Sequence, residues 1–235
     1  MKKINKFMAA LSIGLIGAGL YTPTVDALTS NATVDFTNPS EAPAIVNPDN
    51  PDGEPLENPN TDGEVSGEFG PLTLDYVSNF DFGSQILSSK NESYVATNNR
   101  TPFAQVTDVR GTGAGWRLVA TLNGFTQEDE TSLEGSTISL SNGNVVTTSD
   151  TNSVPAPAVT SEITLTTGES SDVTVAELTE GRGTWLTVWD NNQNVVLNVP
   201  AASATVGQHT GTITWTLYNT PTETDSEPVN QTTQP

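Results

Sequence analysis

The sequence predicts an all-β protein: a β-sandwich or Greek-key-like domain of about ten short strands. From Gly70 onward, short runs rich in Val, Ile, Thr, Leu and aromatic residues alternate with clusters of Gly, Asn, Asp and Ser. Asn142-Gly143 and the cluster 190–194 are turn signals between two such runs. No segment keeps an apolar period of 3.6 residues over three turns. These observations favour packed sheets over helices.

Ten segments have the composition of strands, and each is bounded by turn-forming residues. One short helical turn is conceivable over Ser171–Thr179. The predicted strands are Leu72–Val77, Phe103–Val109, Gly115–Leu122, Thr137–Ser141, Val145–Thr148, Glu162–Thr166, Val173–Ala176, Thr184–Trp189, Val195–Val199 and Gly211–Asn219.

Residues 1–27 have the pattern of a cleaved signal peptide. Three lysines lie within the first six residues, an apolar stretch of about 14 residues follows, and the small-residue sequence VDA ends at Ala27. A membrane anchor is the alternative, but a spanning helix needs about 20 apolar residues. We therefore expect an extracellular protein that does not span the membrane.

Two polar segments flank the predicted domain. Residues 28–69 are rich in proline and acidic residues, which predicts an extended, disordered linker. Residues 222–235 are almost entirely polar and predict a disordered tail. The expected organisation is a signal peptide over 1–27, a linker over 28–69, a β-domain over 70–221 and a tail over 222–235.

The composition restricts the function. The chain has no cysteine, so the domain must be stable without disulfides. Its formal net charge is −20, and loss of residues 1–27 would leave 5 basic and 27 acidic residues, about −22. Such a charge repels phosphate backbones and therefore argues against nucleic acid as a partner.

Two Trp-x-Leu motifs stand out, at Trp116–Leu118 and Trp215–Leu217. Side chains at i and i+2 of a strand share a face, so each motif puts a large aromatic and a branched aliphatic side chain on one patch of sheet. Such a patch is either part of the core or an exposed binding platform. The spacing favours the core and does not exclude the platform.

At this point the chain resembles the WxL-domain proteins of Gram-positive bacteria. These carry a proximal Trp-x-Leu and a distal motif Tyr-x-x-x-Leu-Thr-Trp-x-Leu-x-x-x-Pro. Residues 209–221 read HTGTITWTLYNTP. Four positions agree with the distal motif, Ile213 replaces leucine and His209 replaces tyrosine; the four are Thr214, Trp215, Leu217 and Pro221.

The resemblance covers about Gly70 to Pro221 and implies a function in binding. It implies non-covalent attachment to the cell wall through peptidoglycan, with Trp116, Leu118, Trp215, Leu217 and Pro221 as the motif residues. It also implies association with other surface proteins of the same cell. The alternative function is therefore a protein-interaction subunit that docks on an anchored partner protein.

A second aromatic pair is the preferred glycan-contact candidate outside the motifs. Trp185 and Trp189 lie at i and i+4 of a predicted strand, so they share a face. If exposed, they could stack on sugar rings, with Asp190 and Asn192 binding hydroxyl groups. The competing interpretation is again a core pair followed by a hydrogen-bonded turn.

Catalysis and metal binding have little support in the sequence. One histidine and no cysteine leave few nucleophile–base pairs, and no GxSxG motif occurs. A carboxylate pair for glycoside hydrolysis stays open, although no local pattern selects one. The acidic loop 128–134 lacks calcium-site spacing. We therefore predict a protein that is not an enzyme and has no cofactor or metal.

Overall fold

The computed structural model describes residues 28–190, 192–222 and 228–229. The chain divides into two compact units, Met1–Phe36 and Thr37–Pro235. In the first unit, residues 28–36 are exposed and have no regular secondary structure. The predicted signal peptide, residues 1–27, lies outside the described residues.

The second unit is built from β-strands, which confirms the predicted fold class. In the described residues the only helical elements are two 3₁₀ turns, Pro59–Thr61 and Asn192–Asn194. The strands of this part are β1 (Gly63–Val65), β2 (Leu72–Ser78), β3 (Glu92–Val95), β4 (Phe103–Asp108), β5 (Trp116–Gln127), β6 (Glu130–Ser132), β7 (Thr137–Ser141), β8 (Asn144–Thr147), β9 (Ala158–Val159), β10 (Glu162–Leu165), β11 (Ser170–Ala176), β12 (Gly183–Val188), β13 (Val195–Val199) and β14 (Thr210–Tyr218).

The strands form three antiparallel sheets. Sheet A has the order β1-β2-β4-β12-β8, sheet B the order β10-β7-β13-β3, and sheet C the order β14-β5-β11-β9, with β6 paired to β5. All ten predicted strands are present within a few residues of the expected bounds. The helical turn considered over 171–179 is wrong, because β11 occupies most of that range and pairs with β5 and β9.

One apolar core joins the three sheets. It takes Leu74 and Val106 from sheet A, Leu140 and Val195 from sheet B, and several residues of β5 from sheet C. The alternation of strand side chains explains this, because each sheet turns one row of apolar residues toward the others. The motif residue Leu118 lies in this shared core.

Sheet A is covered on its second face as well, and here the structure differs from the predicted linker. Ile45 is buried with Tyr76 and Phe103 in a second apolar cluster. Gln105 holds the backbone around Ile45 by two hydrogen bonds. Its amide nitrogen donates to Ala44 O at 3.0 Å, and its amide oxygen accepts from the backbone N–H of Val46. Strand β1 then pairs with the end of β2.

The physical reason is the burial of both faces of sheet A. All six residues of β4 are buried, which requires cover on each side of the sheet. The proline-rich composition of residues 28–69 predicted solvation, but a few apolar residues within it are enough to cover the sheet. The packed part of the chain therefore begins before Gly70.

A β-bulge in β2 places a carboxylate inside the protein. The register of β2 against β4 shifts between Leu74 and Tyr76, so Asp75 is the extra residue. The Asp75 carboxylate accepts hydrogen bonds from Thr73 Oγ1, Gln105 Nε2 and Thr107 Oγ1 at 2.5, 2.9 and 2.6 Å. Burial raises the pKa of Asp75, and these three hydrogen bonds partly oppose the increase.

Part of the predicted tail also contacts the domain. Pro228 forms an antiparallel bridge with Tyr218, and the N–H of Val229 donates to Leu217 O at 2.9 Å. Val229 packs against the main core. The prediction of a free polar tail over 222–235 thus differs from the structure at these two positions.

Candidate functional site

The two Trp-x-Leu motifs lie side by side on neighbouring strands of sheet C. β5 carries the first and β14 the second, and the strands pair antiparallel with Leu118 directly opposite Leu217. The same register places Ala120 opposite Trp215. Since the strands run in opposite directions, the two tryptophans lie on either side of the leucine pair. Motifs about 100 residues apart in sequence therefore form one structural unit.

The first motif is part of the core. Trp116 is 1% exposed, and its indole N–H donates to Gly181 O at 2.9 Å. Gly181 adopts φ +68°, and a Cβ there would lie 2.6 Å from the indole nitrogen of Trp116. Leu118 is fully buried beside it. This motif therefore lies in the interior of the fold.

The second motif reaches the surface. Leu217 is buried, whereas Trp215 is only partly buried and packs against the main core from its edge. Its ring lies 6.2 Å from that of Trp189 at an interplanar angle of 53°, and Trp189 meets Phe80 edge to face. Pro221, the last motif residue, is partly buried in a bend after β14. Of the motif residues, Trp215 is the one that lines a groove.

The groove beside Trp215 has a volume of about 1040 Å³. Strands β5, β7, β13 and β14 provide an apolar floor that includes Phe125, Leu197 and Ile213. Residues 79–87, which follow β2, form one wall and bring Phe80, Phe82, Ile86 and Leu87 to it. Phe80 and Phe82 pack against the main core, whereas Ile86 is 90% exposed and Leu87 50%.

Residues of the segment 204–210 line a second wall, and His209 holds this segment in place. Its Nδ1 lies 3.0 Å from Ser132 Oγ and its Nε2 lies 3.0 Å from Thr205 O. A carbonyl only accepts, so in the neutral ring Nε2 carries the proton and Nδ1 accepts from the serine hydroxyl. Gln127 adds a hydrogen bond to Val206 O at 2.8 Å. His209 therefore positions this wall.

Among the described residues, the edge of β14 that faces away from β5 has no neighbouring strand beside the groove. In an antiparallel strand the N–H and C=O of one residue point to the same side, and alternate residues point to opposite sides. Because Leu217 O accepts from Val229 on the side away from β5, the backbone groups of Ile213 and Trp215 also point away from β5. Within the described part of the chain, no strand pairs with β14 at these two residues.

The charged side chains that line the groove are acidic. Its lining includes the carboxylates of Glu64 and Asp81, and no lysine or arginine is among the described residues that line it. Asp81 also holds its wall in shape, because its Oδ1 accepts from Gly83 N at 2.9 Å. Together with a net charge of −20 for the chain, these carboxylates favour neutral or cationic ligand groups.

The aromatic pair expected to bind glycan does not form a surface shelf. Trp185 is 5% exposed and Trp189 1%, and both belong to the main core. The reason is that the shared face of β12 is the inner face of sheet A. Asp190 is exposed and accepts weakly from Asn194 Nδ2 at 3.4 Å. The side chain of Asn192 lies outside the described residues.

Sequence reasoning missed most of the groove. The exposed pair Ile86-Leu87 was the available signal, because two adjacent aliphatic residues in a loop of Gly, Ser, Gln and Asn have no role in a core there. Strand β3, which brings Tyr94 to the groove, was also missed since its sequence ESYV is short and half polar.

The described residues contain no group of three or more His, Cys, Asp or Glu side chains arranged to hold a metal ion. They also contain no helix with the length and hydropathy needed to cross a membrane.

Comparison with known proteins gives a family. The family model of the WxL domain, described as a surface cell wall-binding domain, matches residues 24–221. No significant match was found among curated proteins or among solved structures. The matched range contains both Trp-x-Leu motifs, the groove and the segment that covers sheet A. The chain therefore belongs to the WxL family of surface cell wall-binding domains.

Proposed function

We propose that the protein attaches non-covalently to the cell wall through peptidoglycan and that the groove beside Trp215 is its contact surface. One observation carries the proposal. Three of the four tryptophans are buried, and the fourth belongs to the second Trp-x-Leu motif and lines the groove. The description of the family as cell wall-binding supports a wall ligand, and the groove is large enough for part of a polymer chain.

The proposed location follows from the same role. Residues 1–27 act as a signal peptide, and the exported protein stays at the cell surface by binding the wall. The test is mass spectrometry of the protein recovered from the cell wall. An N-terminus at Leu28 is the expected result, whereas an intact residue 1 would contradict export by this route.

The proposed role is binding without catalysis. The sequence has a single histidine, and in the structure both of its ring nitrogens hold the groove wall. Incubation of purified wall polymers with the protein should release no soluble sugar or peptide. Release that increases with time would contradict a purely binding role.

Co-sedimentation with purified peptidoglycan tests the attachment. Ile86→Ser is the sharpest variant, because a residue that is 90% exposed contributes little to folding and its loss should weaken only binding. Leu178→Ser is the matched control, since Leu178 is 69% exposed and does not line the groove. We expect the control to sediment as the unchanged protein does. Equal sedimentation of both variants would exclude the groove as the contact surface.

A second candidate function is docking on an anchored partner protein of the same cell. The observation that favours it is the exposed aliphatic pair Ile86-Leu87, since exposed apolar patches mark protein interfaces. Binding to peptidoglycan freed of all proteins distinguishes the two functions. Retention on this material supports direct wall binding, whereas retention only on cells that carry the partner supports docking.

A further inference from the structure

The groove has features that select one component of peptidoglycan. This polymer consists of sugar chains joined by short peptides, some of which carry free amines. We infer that the groove and the edge of β14 that faces away from β5 bind the peptide component rather than the sugar chain. This inference rests on the proposed attachment to peptidoglycan and makes it more specific.

The aromatic residues argue against a sugar-stacking site. Stacking on a sugar ring needs an exposed aromatic face, and Trp116, Trp185 and Trp189 are all buried. Trp215 is partly buried, and part of its surface is occupied by Trp189, whose ring centre is 6.2 Å away. The groove is therefore lined by partly buried aromatic side chains, among them Phe80, Tyr94 and Trp215, rather than by a fully exposed tryptophan face.

The edge of β14 suits an extended peptide. The N–H and C=O groups of Ile213 and Trp215 point away from β5, so they are placed to pair with a ligand that has alternating donors and acceptors. A peptide backbone has that alternation, whereas a sugar chain has only hydroxyl, ether and acetamido groups. Next to the motif this edge already pairs with backbone, through the bridge between Pro228 and Tyr218 and the hydrogen bond from Val229 N to Leu217 O.

The groove lies where side chains of such a ligand would point. Alternate residues of an added strand face the same side as the side chains of Ile213 and Trp215, which line the groove. Phe80, Leu197 and the exposed Ile86 give apolar surface for small methyl-bearing side chains. Wall peptides are rich in alanine, so their methyl groups match this surface.

Charge selects the ligand further. Glu64 and Asp81 line the groove without a lysine or arginine among its described residues, so a free amine of a wall peptide finds carboxylates there. The net charge of −20 disfavours a second copy of this chain as the occupant of the edge. The occupant is therefore a neutral or cationic peptide.

The first experiment compares forms of peptidoglycan in co-sedimentation with the full protein. Intact peptidoglycan, freed of proteins and teichoic acid, is compared with sugar chains from which an amidase has removed the peptides. We expect removal of the peptides to abolish binding, and soluble wall peptides to compete with the intact polymer. Chitin oligosaccharides, which carry no peptide, should not compete.

The second experiment tests the edge and the carboxylate separately. Ile213→Pro removes the N–H of residue 213, which points away from β5 and makes no hydrogen bond to that strand. Ile213→Ala shortens the same side chain but keeps this N–H. Ile213→Pro should therefore bind peptidoglycan about tenfold more weakly than Ile213→Ala. Glu64→Gln should reduce binding and lose sensitivity to acetylation of the wall amines. Glu57→Gln makes the same charge change outside the groove and should behave as the unchanged protein.

The outcomes distinguish failure of the proposed wall attachment from failure of the peptide preference. If intact peptidoglycan is not retained, the proposed wall attachment fails and the peptide preference fails with it. If intact polymer and peptide-free sugar chains are retained equally, wall attachment stands and the peptide preference is overturned. If Ile213→Pro does not fold, as checked by its circular dichroism spectrum, the comparison of polymer forms and the Glu64→Gln variant still decide.

Discussion

The two motif tryptophans have different physical roles although they share one sequence pattern. Trp116 is enclosed on all sides and hydrogen-bonded, whereas Trp215 has core on one side and the groove on the other. A residue enclosed in this way contributes its full burial to stability, and a residue at a groove contributes less. Within the motif pair, Trp116 therefore serves mainly the stability of the fold, and Trp215 is the tryptophan available for binding.

Replacement of Trp116 by alanine should lower the free energy of unfolding by about 3–5 kcal/mol, because a large cavity opens in the core. Trp215→Ala should lower it by less, because the side chain is only partly buried. Urea unfolding followed by circular dichroism measures both. A loss at Trp215 that equals the loss at Trp116 would contradict the assigned difference.

Gly181 is required by the contact with Trp116. Gly181→Ala adds a Cβ 2.4 Å from the Cβ of Ala176 and 2.6 Å from the indole nitrogen of Trp116. Gly67→Ala is the matched control, because Gly67 has φ +70° and nothing within 4 Å of the added Cβ. In both variants the alanine must adopt a left-handed backbone conformation, which lowers stability by a similar amount. Overpacking against Trp116 should lower the free energy of unfolding of Gly181→Ala by about a further 1–3 kcal/mol. Equal thermal midpoints would refute the close contact.

Asp75 should make stability depend on pH. Its folded pKa is raised by burial, so the folded state holds the proton more tightly than the unfolded state. The free energy of unfolding should therefore fall as pH rises from the ordinary pKa of 3.8 through the folded value, and stay constant above it. Comparison of urea midpoints across this window measures the effect.

The variant that isolates this contribution is Asp75→Asn. Its amide oxygen can accept from Gln105 and Thr107, and its amide nitrogen can donate to Thr73 Oγ1, so the hydrogen-bonded arrangement is kept. We expect the fall in stability with pH to become shallower. Glu54→Gln removes an exposed carboxylate and serves as the control. An unchanged slope in Asp75→Asn would rule out this residue as the source.

At the scale of elements, the segment before β1 has a structural role. Ile45 fills the second apolar cluster, and Gln105 binds the backbone on both sides of it. The segment covers a face of sheet A that would otherwise expose Tyr76, Phe103, Leu186 and Val188. A stretch with the composition of a linker therefore completes the domain.

The corresponding prediction concerns Ile45→Ala. Truncation of this buried side chain should lower the free energy of unfolding by about 2–4 kcal/mol. Val34→Ala is the control, since Val34 is 72% exposed and should leave stability unchanged. Denaturant unfolding measures both. Equal stability of Ile45→Ala and the control would mean that the segment is not part of the cooperative unit.

At the scale of the whole molecule, the net charge of −20 opposes approach to an anionic wall. Walls that keep their teichoic acid should therefore retain less protein at low salt than walls stripped of it. Raising the salt from about 0.01 M to about 0.15 M shortens the Debye length from about 30 to about 8 Å and should reduce this difference. Co-sedimentation over a salt series measures it. A difference that grows with salt would contradict the repulsion.

The sequence predicted the local elements well because their signals are local. Each of the ten predicted strands combines β-branched or aromatic residues with flanking turn chemistry, and each is present. Strands β1, β3, β6 and β9 were missed because they have only two to four residues each. Their pairing depends on the neighbouring strand rather than on their own composition.

The sequence by itself determined the fold class, the two motifs and the family, since these depend on periodicity, spacing and residue identity. Only the tertiary structure decided that Leu118 lies opposite Leu217, that Trp116 is enclosed, and that Trp215 borders a groove. The physical reason is that i, i+2 spacing fixes which side chains share a face of a strand, whereas strand order and the cover over that face decide whether it meets protein or solvent.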